Sequence, residues 1–468
     1  MAFKKIGVLT SGGDAPGMNA CVKAVVNRAA EMGIEVVGIM EGYAGLITGD
    51  IVPMTRQMVN GAMTVGGTRL YSSRCPEFKT LEAQLKAVET CKKEGIEALI
   101  CIGGDGTFRG ATDMTKLGIP SIGVPGTIDN DITATDYTIG LDTSTNTTLR
   151  MIDNLKDTCE SHARLNVVEV MGRDCGQIAL YAAIASSAVA VAIPEVPFDV
   201  DKFVEDVKGV CAKNNNKCIA VVSEGIKDKD GRYISEGKAG ANDGFGHAQL
   251  GGLAARLAAI IKEKLNVKVR PIELSLMQRC GAHLASKQDV EEAFAAGAFA
   301  VKSACEGETD KMVIFERDMT GGEYKCNCVL MPLELAANTE KTVPLTWITD
   351  NGTGISDDFV EYALPLIQGD AKAPLEDGLP RFAKLDAIDQ KYLYYNPPEY
   401  RRDFTLKEVC DSFRNFACSR MGLYYEEEII RWRDDYNLQF LACACKMTQE
   451  RYINPDGTSN SKRAEMKE

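Results

Sequence analysis

The regular alternation of short apolar runs with helix-like segments constrains the fold of this chain more than any other feature of its sequence. The apolar runs IGVLT (6–10), IEALICIGG (96–104) and IPSIGVPG (119–126) are separated by segments with helical periodicity, for example 18–33 and 80–95. A fully apolar strand is typical of a parallel sheet that is covered on both faces. The repeated order of strand, loop and helix therefore predicts an α/β, doubly wound fold.

Composition and charge limit the classes of function. The chain has 468 residues, which is enough for two or more domains. Its net charge of −13 argues against nonspecific binding to nucleic acid or to an anionic membrane. No run approaches the roughly 20 apolar residues of a membrane helix, and no signal peptide is visible. The 16 cysteines have no framework or zinc-ribbon spacing, so we expect reduced thiols and a cytoplasmic protein.

Two glycine-rich turns follow directly after apolar strands. They are LTSGGDAPGMNA (9–20) and CIGGDGTFRGA (101–111), and each has an Asp directly after paired glycines. Glycine lets the backbone approach a phosphate, and the N-terminus of the following helix adds partial positive charge. A single turn of this kind is common for packing alone, but two favour phosphate binding. Neither turn matches the P-loop, and neither fits the G-x-G-x-x-G dinucleotide fingerprint well.

Asp105 lies in the second of these turns, where a phosphate is expected. A carboxylate beside phosphates needs a counter-ion, and Mg²⁺ is the natural one. The alternative is that Asp105 caps the helix that starts near Thr107. Both roles are compatible. Arg74 lies in the preceding loop YSSRCPEF and becomes of interest if a phosphoryl donor binds there.

The segment GVPGTIDNDI (123–132) places Asp129 and Asp131 on either side of Asn130, just after a Pro-Gly turn. The simple interpretation is a solvated turn, which favours Asp and Asn. The chemical interpretation is a general base with a second, metal-side carboxylate close by. Phosphoryl transfer to a hydroxyl needs such a base, together with cations around the transferred group.

The motifs GVLTSGGDAPGMNA, GGDGT, PGTIDNDI, TDYTIGLDT and VVEVMGRDCG occur in this order and together resemble the 6-phosphofructokinase family. The resemblance is nearly continuous from Lys4 to Gly225, is patchier to Arg317, and is weak beyond. It implies an enzyme that transfers the γ-phosphate of ATP to the 1-hydroxyl of fructose 6-phosphate in glycolysis, with Mg²⁺ as cofactor. The same resemblance implies a homodimer or homotetramer with shared active sites.

The resemblance also implies roles for individual residues. Asp129 matches the general base, and the other catalytic positions are Thr127, Asp131, Arg173 and Arg74. Asp105 matches the Mg²⁺-side carboxylate. The nucleotide-site positions are Gly13, Arg74, Cys75, Asp105, Gly106, Thr107 and Gly110. The sugar-phosphate positions are Thr127, Asp129, Arg164, Met171, Gly172, Arg173, Glu224, Arg270, Gln278 and Arg279, of which Arg164 and Arg270 reach in from a neighbouring subunit.

The expected architecture is two Rossmann-like, doubly wound lobes with mostly parallel sheets. The ATP-binding lobe is expected at 1–142 with return segments from about 275–330, and the sugar-phosphate lobe at 143–274. A helical C-terminal extension is expected at 331–468, ending in a disordered tail. The extension has no counterpart in short members of the family. It is expected to bury surface or build the oligomer, with a regulatory element as the alternative.

Some positions bear on donor, acceptor and regulation. In the family, Gly at the Gly106 and Gly126 positions goes with ATP, whereas Asp and Lys there go with pyrophosphate, so ATP is favoured. A histidine that helps to hold the sugar phosphate is replaced by Leu276. The altered effector positions predict weak or absent activation by ADP and inhibition by phosphoenolpyruvate. The alternatives are a pyrophosphate-dependent phosphofructokinase and a non-catalytic regulatory paralogue.

Overall fold

The structure is a computed structural model that describes residues 3–60, 62–64, 66–186, 188, 190–235, 250–336, 341–349 and 354–366, and the strand pair 375–376 and 379–380. All of these residues belong to one compact unit, Met1–Asp386. The predicted helix around 426–452 and the predicted disordered tail lie outside the described residues. So does most of the Gly-rich segment 227–252, for which a surface loop is predicted.

Two sheets form the framework. The strands are β1 Lys5–Ser11, β2 Glu35–Ile39, β3 Ile51–Met54, β4 Ala98–Gly103, β5 Ser121–Thr127, β6 Ile139–Gly140, β7 Leu165–Val170, β8 Ala190–Ala192, β9 Cys218–Ser223, β10 Val269–Glu273, β11 Lys311–Asp318, β12 Lys325–Pro332, β13 Ile348–Thr349, β14 Gly354–Ile355, β15 Leu375–Glu376 and β16 Leu379–Pro380. The larger sheet has the order β12-β11-β5-β4-β1-β2-β3, with β6 beside β5. The smaller sheet has the order β10-β7-β9-β8 and is parallel throughout.

The helices cover the sheets as the predicted fold requires. They are α1 Met18–Glu31, α2 Tyr43–Thr48, α3 Leu81–Glu94, α4 Asp105–Lys116, α5 Leu141–His162, α6 Gln177–Ser186, α7 Val200–Lys213, α8 Leu253–Leu265, α9 Lys287–Cys305 and α10 Asp357–Ala363. All six residues of β4 are buried, as expected for a central parallel strand covered on both faces. The doubly wound α/β fold predicted from the alternation is therefore confirmed.

Local sequence signals explain individual helices. The hydroxyl of Thr80 caps α3 by accepting from the Ala83 N–H at 3.3 Å, and Gly95 ends the helix at φ +69°. On the opposite face of the large sheet α1 packs against α9. A Cβ on Gly297 of α9 would lie 2.4 Å from the carbonyl oxygen of Cys21 in α1. Glycine at this position therefore permits the close approach of the two helices.

Each sheet has its own apolar core. The core on one face of the large sheet lies beneath α2, α3 and α4 and includes Leu9, Leu99 and Phe108. The core of the small sheet includes Val167, Val207 and Leu257. A division into two lobes near residues 142 and 274 remains a proposal that these two cores support. The expected boundary at residue 331 falls inside β12, because this strand runs to Pro332.

The carboxyl ends of the parallel strands carry the loops of interest. Strands β1, β4 and β5 end at Ser11, Gly103 and Thr127, directly before the two glycine-rich turns and the Asp129 segment. Strands β7 and β9 end at Val170 and Ser223, directly before the MGR segment and Glu224. Ligands of open α/β sheets bind at this edge. Among the described residues, no helix is both long and apolar enough to cross a membrane.

Candidate active site

The two glycine-rich turns are bonded to each other at the carboxyl edge of the large sheet. Gly12 adopts φ +89°, and its carbonyl accepts from the hydroxyl of Ser72 at 2.6 Å. The hydroxyl of Thr107 donates to the carbonyl of Ser11 at 3.1 Å. A Cβ on Gly103 would lie 2.4 Å from that same carbonyl. The close contact of these backbones therefore requires a glycine at this position.

The glycines of the second turn have different roles. A Cβ on Gly104 or Gly106 would meet no atom within 4 Å, so both residues border open space at the start of α4. A Cβ on Gly110 would lie 2.5 Å from the ring of Tyr43. Gly110 was predicted as a nucleotide-site residue, and the structure gives it a packing role beneath the turn. Gly104 and Gly106 leave the N-terminus of α4 accessible, which is the kind of site that binds phosphate.

Asp105 is the first residue of α4 and is ion-paired with Arg109, one helical turn later. The alternative role of Asp105 as a helix cap does not apply, because Gly104 occupies the N-cap position. Thr107 is buried. Cys75 is also buried, which raises the pKa of its thiol, while the neighbouring Arg74 is exposed. In the described part of the chain, no three His, Cys, Asp or Glu side chains gather as a metal site.

The Asp129 loop, residues 127–138, begins where β5 ends. The hydroxyl of Thr127 accepts from the N–H of Asp129 at 3.2 Å. Asn130 adopts φ +54°, a left-handed conformation that Asn tolerates better than most residues. The Oδ1 atom of Asp129 is inaccessible to solvent and has no hydrogen-bond partner among the described residues. A buried acceptor of this kind can accept a hydrogen bond from the hydroxyl of a ligand.

Burial and charge adjust the pKa of the two carboxylates in the site. Burial, followed by the nearby charge of Glu224, raises the pKa of Asp129 to about 6, while Arg173 and Arg279 oppose that shift. Burial and the charge of Glu169 raise the pKa of Glu224 to about 7, again opposed by Arg173. A group with a pKa near the working pH is suited to proton transfer. Asp129 is therefore better placed to act as a base than an ordinary surface carboxylate.

The MGR segment, residues 171–173, follows β7 in an unusual backbone conformation. Gly172 has φ +132° and Arg173 has φ +46°. A Cβ on Gly225 would overlap the carbonyl of Arg173 at 1.6 Å, so the backbone of the EG turn after β9 lies directly against this residue. The packing of these two strand ends fixes the position from which Arg173 faces both Asp129 and Glu224.

Gln278 was predicted to bind the sugar phosphate, but the structure places it in the interior. Its side chain is 0% exposed. Its Oε1 accepts from the Thr148 hydroxyl at 3.2 Å and the Met171 N–H at 3.3 Å, and its Nε2 donates to the carbonyl of Ser275 at 3.2 Å. Gln278 therefore supports the MGR segment from below instead of contacting a ligand.

Arg279 connects the two halves of the site. Its Nε lies 3.1 Å from Oδ1 of Asp14, in the first glycine-rich turn. A Cβ on Gly13 would lie 3.8 Å from its Nη1. The charge of the same guanidinium partly opposes the rise in the pKa of Asp129 that burial causes. The position that the family uses for a sugar phosphate, occupied here by Leu276, is 58% exposed in the same 3-10 turn.

Arg164 and Arg270 do not reach this site within their own chain. Arg164 directly precedes β7, and Arg270 lies near the start of the neighbouring strand β10. The MGR segment follows the opposite end of β7, and six residues of strand span roughly 20 Å. Both arginines therefore lie at the end of the small sheet that is opposite to the MGR segment of their own chain.

Four residues around the site were not predicted from the sequence. Asp14 pairs with Arg279, and Asn130 holds the left-handed turn between the two aspartates. Lys341 and Tyr362 bond to the Asp129 loop from more than 200 residues away. The paired glycines before Asp14 were a usable signal, but nothing in the sequence indicated the distant pair.

The chain is similar to known proteins of one family. A family model described as phosphofructokinase matches residues 5–304. The ATP-dependent 6-phosphofructokinase of Lactobacillus johnsonii is 50% identical over 254 residues, which is 53% of this chain and 80% of that protein. The enzyme of the same name from Halalkalibacterium halodurans is 47% identical over 284 residues, 60% of this chain and 88% of the relative.

Similarity to solved structures extends further along the chain. The crystal structure of a pyrophosphate-dependent phosphofructokinase from Nitrosospira multiformis has a TM-score of 0.72 at 29% identity. It covers 83% of this chain and 98% of that one. The relatives of similar sequence are thus named as ATP-dependent enzymes, whereas this protein of similar structure is named as pyrophosphate-dependent.

Proposed function

The chain belongs to the phosphofructokinase family, and we propose that it is an ATP-dependent 6-phosphofructokinase, a phosphotransferase of glycolysis. It transfers the γ-phosphate of ATP to the 1-hydroxyl of fructose 6-phosphate and forms fructose 1,6-bisphosphate. The observation that carries this proposal is the buried Oδ1 of Asp129, which has no hydrogen-bond partner among the described residues and lies near the charges of Arg173 and Arg279.

On the acceptor side, Asp129 takes the proton of the attacking hydroxyl. Its Oδ1, which has no hydrogen-bond partner in the described part of the chain, accepts the hydroxyl hydrogen, and its raised pKa makes Asp129 a stronger base than an exposed Asp. Arg173 provides positive charge that stabilises the transferred phosphoryl group, and Arg279 binds the 6-phosphate of the sugar. Thr127 orients the backbone of Asp129, and Asp131 lies two residues further along the same loop. Met171, Gly172 and Glu224 form the sugar side of the site.

On the donor side, the nucleotide phosphates bind the backbone of the two glycine-rich turns and the N-terminus of α4. Gly13, Gly106 and Thr107 belong to these turns, and Arg74 and Cys75 lie in the neighbouring loop. The Asp105 carboxylate fits Mg²⁺, because it offers hard oxygen ligands beside open space in which phosphate oxygens complete the shell. The metal, when bound, neutralises charge on the phosphates.

The choice between ATP and pyrophosphate depends on Gly106 and Gly126. Gly106 borders open space, so its lack of a side chain is not required by packing and leaves room for an α-phosphate. A Cβ on Gly126 would lie 3.1 Å from the Cε of Met18 and 3.2 Å from Cγ2 of Ile102, so packing is a second reason for glycine there. Gly106 is therefore the stronger argument for ATP. Pyrophosphate is the competing donor, because an enzyme of similar structure is named as pyrophosphate-dependent.

We further propose a cytoplasmic homo-oligomer in which Arg164 and Arg270 of one subunit complete the sugar-phosphate site of the next. Their placement at the far end of the small sheet supports this arrangement. A homodimer and a homotetramer both meet this requirement, and native mass measurement distinguishes them.

The test is an activity grid with Mg²⁺, in which ATP and pyrophosphate are each combined with fructose 6-phosphate and other sugar phosphates. We expect turnover with ATP and fructose 6-phosphate. Gly106→Asp should reduce turnover with ATP, while Gly104→Ala serves as a control for a side chain in the same turn. Asp129→Ser should abolish turnover with every pair. Equal turnover of the wild-type protein with pyrophosphate would overturn the donor assignment, and a fully active Asp129→Ser would overturn the base assignment.

A further inference from the structure

The described part of the C-terminal extension forms a small packed unit on the body of the protein. This C-terminal strap consists of residues 341–349 and 354–366, with a short hairpin of β13 and β14 followed by α10. The ring of Trp347 packs against those of Phe359 and Tyr362, with centroid distances of 5.2 and 4.7 Å. Phe359 and Tyr362 are buried, so the strap presents an aromatic face to the protein interior.

That aromatic face lies against the Asp129 loop and α6. The ring of Tyr362 packs on Tyr137 with centroids 4.8 Å apart, and the ring of Phe359 meets Tyr181 edge-on at 5.1 Å. The hydroxyl of Tyr137 also donates to the carbonyl of Tyr362 at 3.1 Å. The strap is therefore packed and hydrogen-bonded to the loop that carries the proposed base.

The hydroxyl of Tyr362 makes two hydrogen bonds to this loop. It accepts from Nδ2 of Asn130 at 2.9 Å and donates to the carbonyl of Asp136 at 2.5 Å. Asn130 is completely buried and lies in the left-handed conformation directly after Asp129. A non-glycine residue keeps this conformation only where its surroundings hold it. The second bond of the Asn130 amide, to the Asp136 carbonyl, is longer, at 3.4 Å.

Lys341 binds the same loop at three carbonyl groups. Its backbone N–H donates to the carbonyl of Asp131 at 2.7 Å. Its ammonium donates to the carbonyls of Thr135 and Asp136 at 2.8 and 2.7 Å. Burial lowers the pKa of Lys341 to about 8, so the group still carries its charge at neutral pH. A buried ammonium held by backbone carbonyls fixes the curvature of the loop between Asp131 and Asp136.

We propose that Tyr362 and Lys341 are positioning residues, which hold the Asp129 loop in the shape that directs the Asp129 carboxylate toward the acceptor hydroxyl. The inference rests on the proposed phosphotransferase function. Both residues lie beyond residue 304, where the match to the family model ends. The C-terminal extension thus contributes to the active-site geometry of its own chain. This contribution is separate from any role in building the oligomer.

Tyr362→Phe is the most selective test, because it removes the hydroxyl and keeps the ring. We expect turnover to fall 10- to 100-fold, since a displacement of about 1 Å in a catalytic group has an effect of this size. The KM for ATP should change less than 2-fold, because the Tyr362 hydroxyl bonds to Asn130 and Asp136 of the Asp129 loop and not to the glycine-rich turns. Lys341→Met should act in the same direction and provides a second variant.

Tyr324→Phe is the matched control. Tyr324 is half-buried, its hydroxyl is likewise a hydrogen-bond donor, to Oε1 of Glu292 at 2.6 Å, and its ring lies near Tyr137. It makes no hydrogen bond to the Asp129 loop among those of the described residues. We expect its turnover to stay within 2-fold of the wild type. Equal losses in Tyr324→Phe and Tyr362→Phe would show a general effect of removing a tyrosine hydroxyl and would overturn the proposal.

The pH dependence of turnover separates positioning from a smaller folded fraction. Asp129 faces Glu224, Asp174, Arg173 and Arg279. A loosened loop admits water to Asp129, so the acid limb of the profile should move to lower pH in Tyr362→Phe. A lower folded fraction reduces the height of the profile and leaves its limb in place. If the acid limb of the pH profile of Tyr362→Phe stays in place and its turnover is within 2-fold of the wild type, the positioning role is refuted.

Hydrogen exchange at residues 127–138 distinguishes failure of this inference from failure of the proposed function. We expect faster exchange in this loop in Tyr362→Phe than in the wild type and in Tyr324→Phe. If the wild-type protein transfers no phosphoryl group but the loop still loosens, the proposed function fails and the structural role of the strap stands. If the wild type is active and neither exchange nor turnover changes in Tyr362→Phe, the inference fails alone.

Discussion

Replacing Asp129 by Asn should abolish catalysis and at the same time stabilise the folded protein at neutral pH. Asp129 is a half-buried residue. Its Oδ1 has no contact with solvent and no hydrogen-bond partner among the described residues. Burial raises its pKa to about 6, despite Arg173 and Arg279 nearby. The folded state therefore opposes the charge that the reaction requires, and a neutral amide of the same shape removes this conflict.

The magnitude follows from the linkage between pKa and stability. An Asp in the unfolded chain has a pKa of about 3.9, so between about pH 4 and 6 the folded state binds more protons than the unfolded state. The free energy of unfolding of the wild type therefore falls as pH rises through this window. With a folded pKa of about 6, the cost is about 1.5 kcal/mol at pH 5 and about 3 kcal/mol at pH 7. Asp129→Asn should recover this free energy.

Thermal melting at several pH values measures the effect. For a cooperative unit of 386 residues, about 3 kcal/mol corresponds to a rise in Tm of roughly 4 °C at pH 7, and about half of that at pH 5. Thr127→Val is the control, because it changes the same loop without adding or removing an ionisable group. Its effect on Tm should be independent of pH. An Asp129→Asn protein that is no more stable than the wild type at pH 7, or whose advantage does not grow from pH 5 to 7, would refute the reasoning.

Three further predictions follow from the same site. The kcat/KM of the wild type should fall as pH decreases through about 6, because Asp129 must be ionised to act as a base, and a pH–rate profile measures this limb. Gly110→Ala should lower stability by about 1–3 kcal/mol, because the added Cβ would lie 2.5 Å from the Tyr43 ring, whereas Gly106→Ala in the same helix should melt within 2 °C of the wild type. Leu276→His should lower the KM for fructose 6-phosphate about 10-fold, since a charge-assisted bond contributes about 1.5–3 kcal/mol; an unchanged KM would mean that this position does not face the sugar phosphate.

The fold, and the place of the candidate site in it, were largely predictable because both depend on residues that are close together in the sequence. Runs such as ALICIG identify a central parallel strand, and Thr80 and Gly95 bracket α3 within one residue. The glycine-rich turns are equally local, since a turn after a strand depends on a few adjacent residues. The position of Asp129 at the carboxyl end of β5 then followed from the alternation of strands and helices.

Features that depend on packing were not predictable in this way. Gly110 and Gly106 are four residues apart in one motif, but only the structure shows that Gly110 accommodates the Tyr43 ring while Gly106 faces open space. Gln278 lies in a segment that resembles the family, but in the structure its amide oxygen accepts hydrogen bonds from Thr148 and Met171 in the interior. In both cases the motif gave the residue type, and the neighbouring element decided its role.

The buried base explains why the site needs support from distant parts of the chain. A buried carboxylate whose Oδ1 has no partner among the described residues destabilises its own loop, and the left-handed backbone of Asn130 beside it adds a further cost. A single local hydrogen bond, such as the one from the Asp129 N–H to the Thr127 hydroxyl, contributes too little free energy to offset these costs. Lys341 and Tyr362 instead supply donors to the carbonyls of Asp131, Thr135 and Asp136, in the part of the loop that follows Asp129. A loop held by residues more than 200 positions away forms only when the whole unit folds, so the reactive geometry and the stability of the C-terminal strap are coupled.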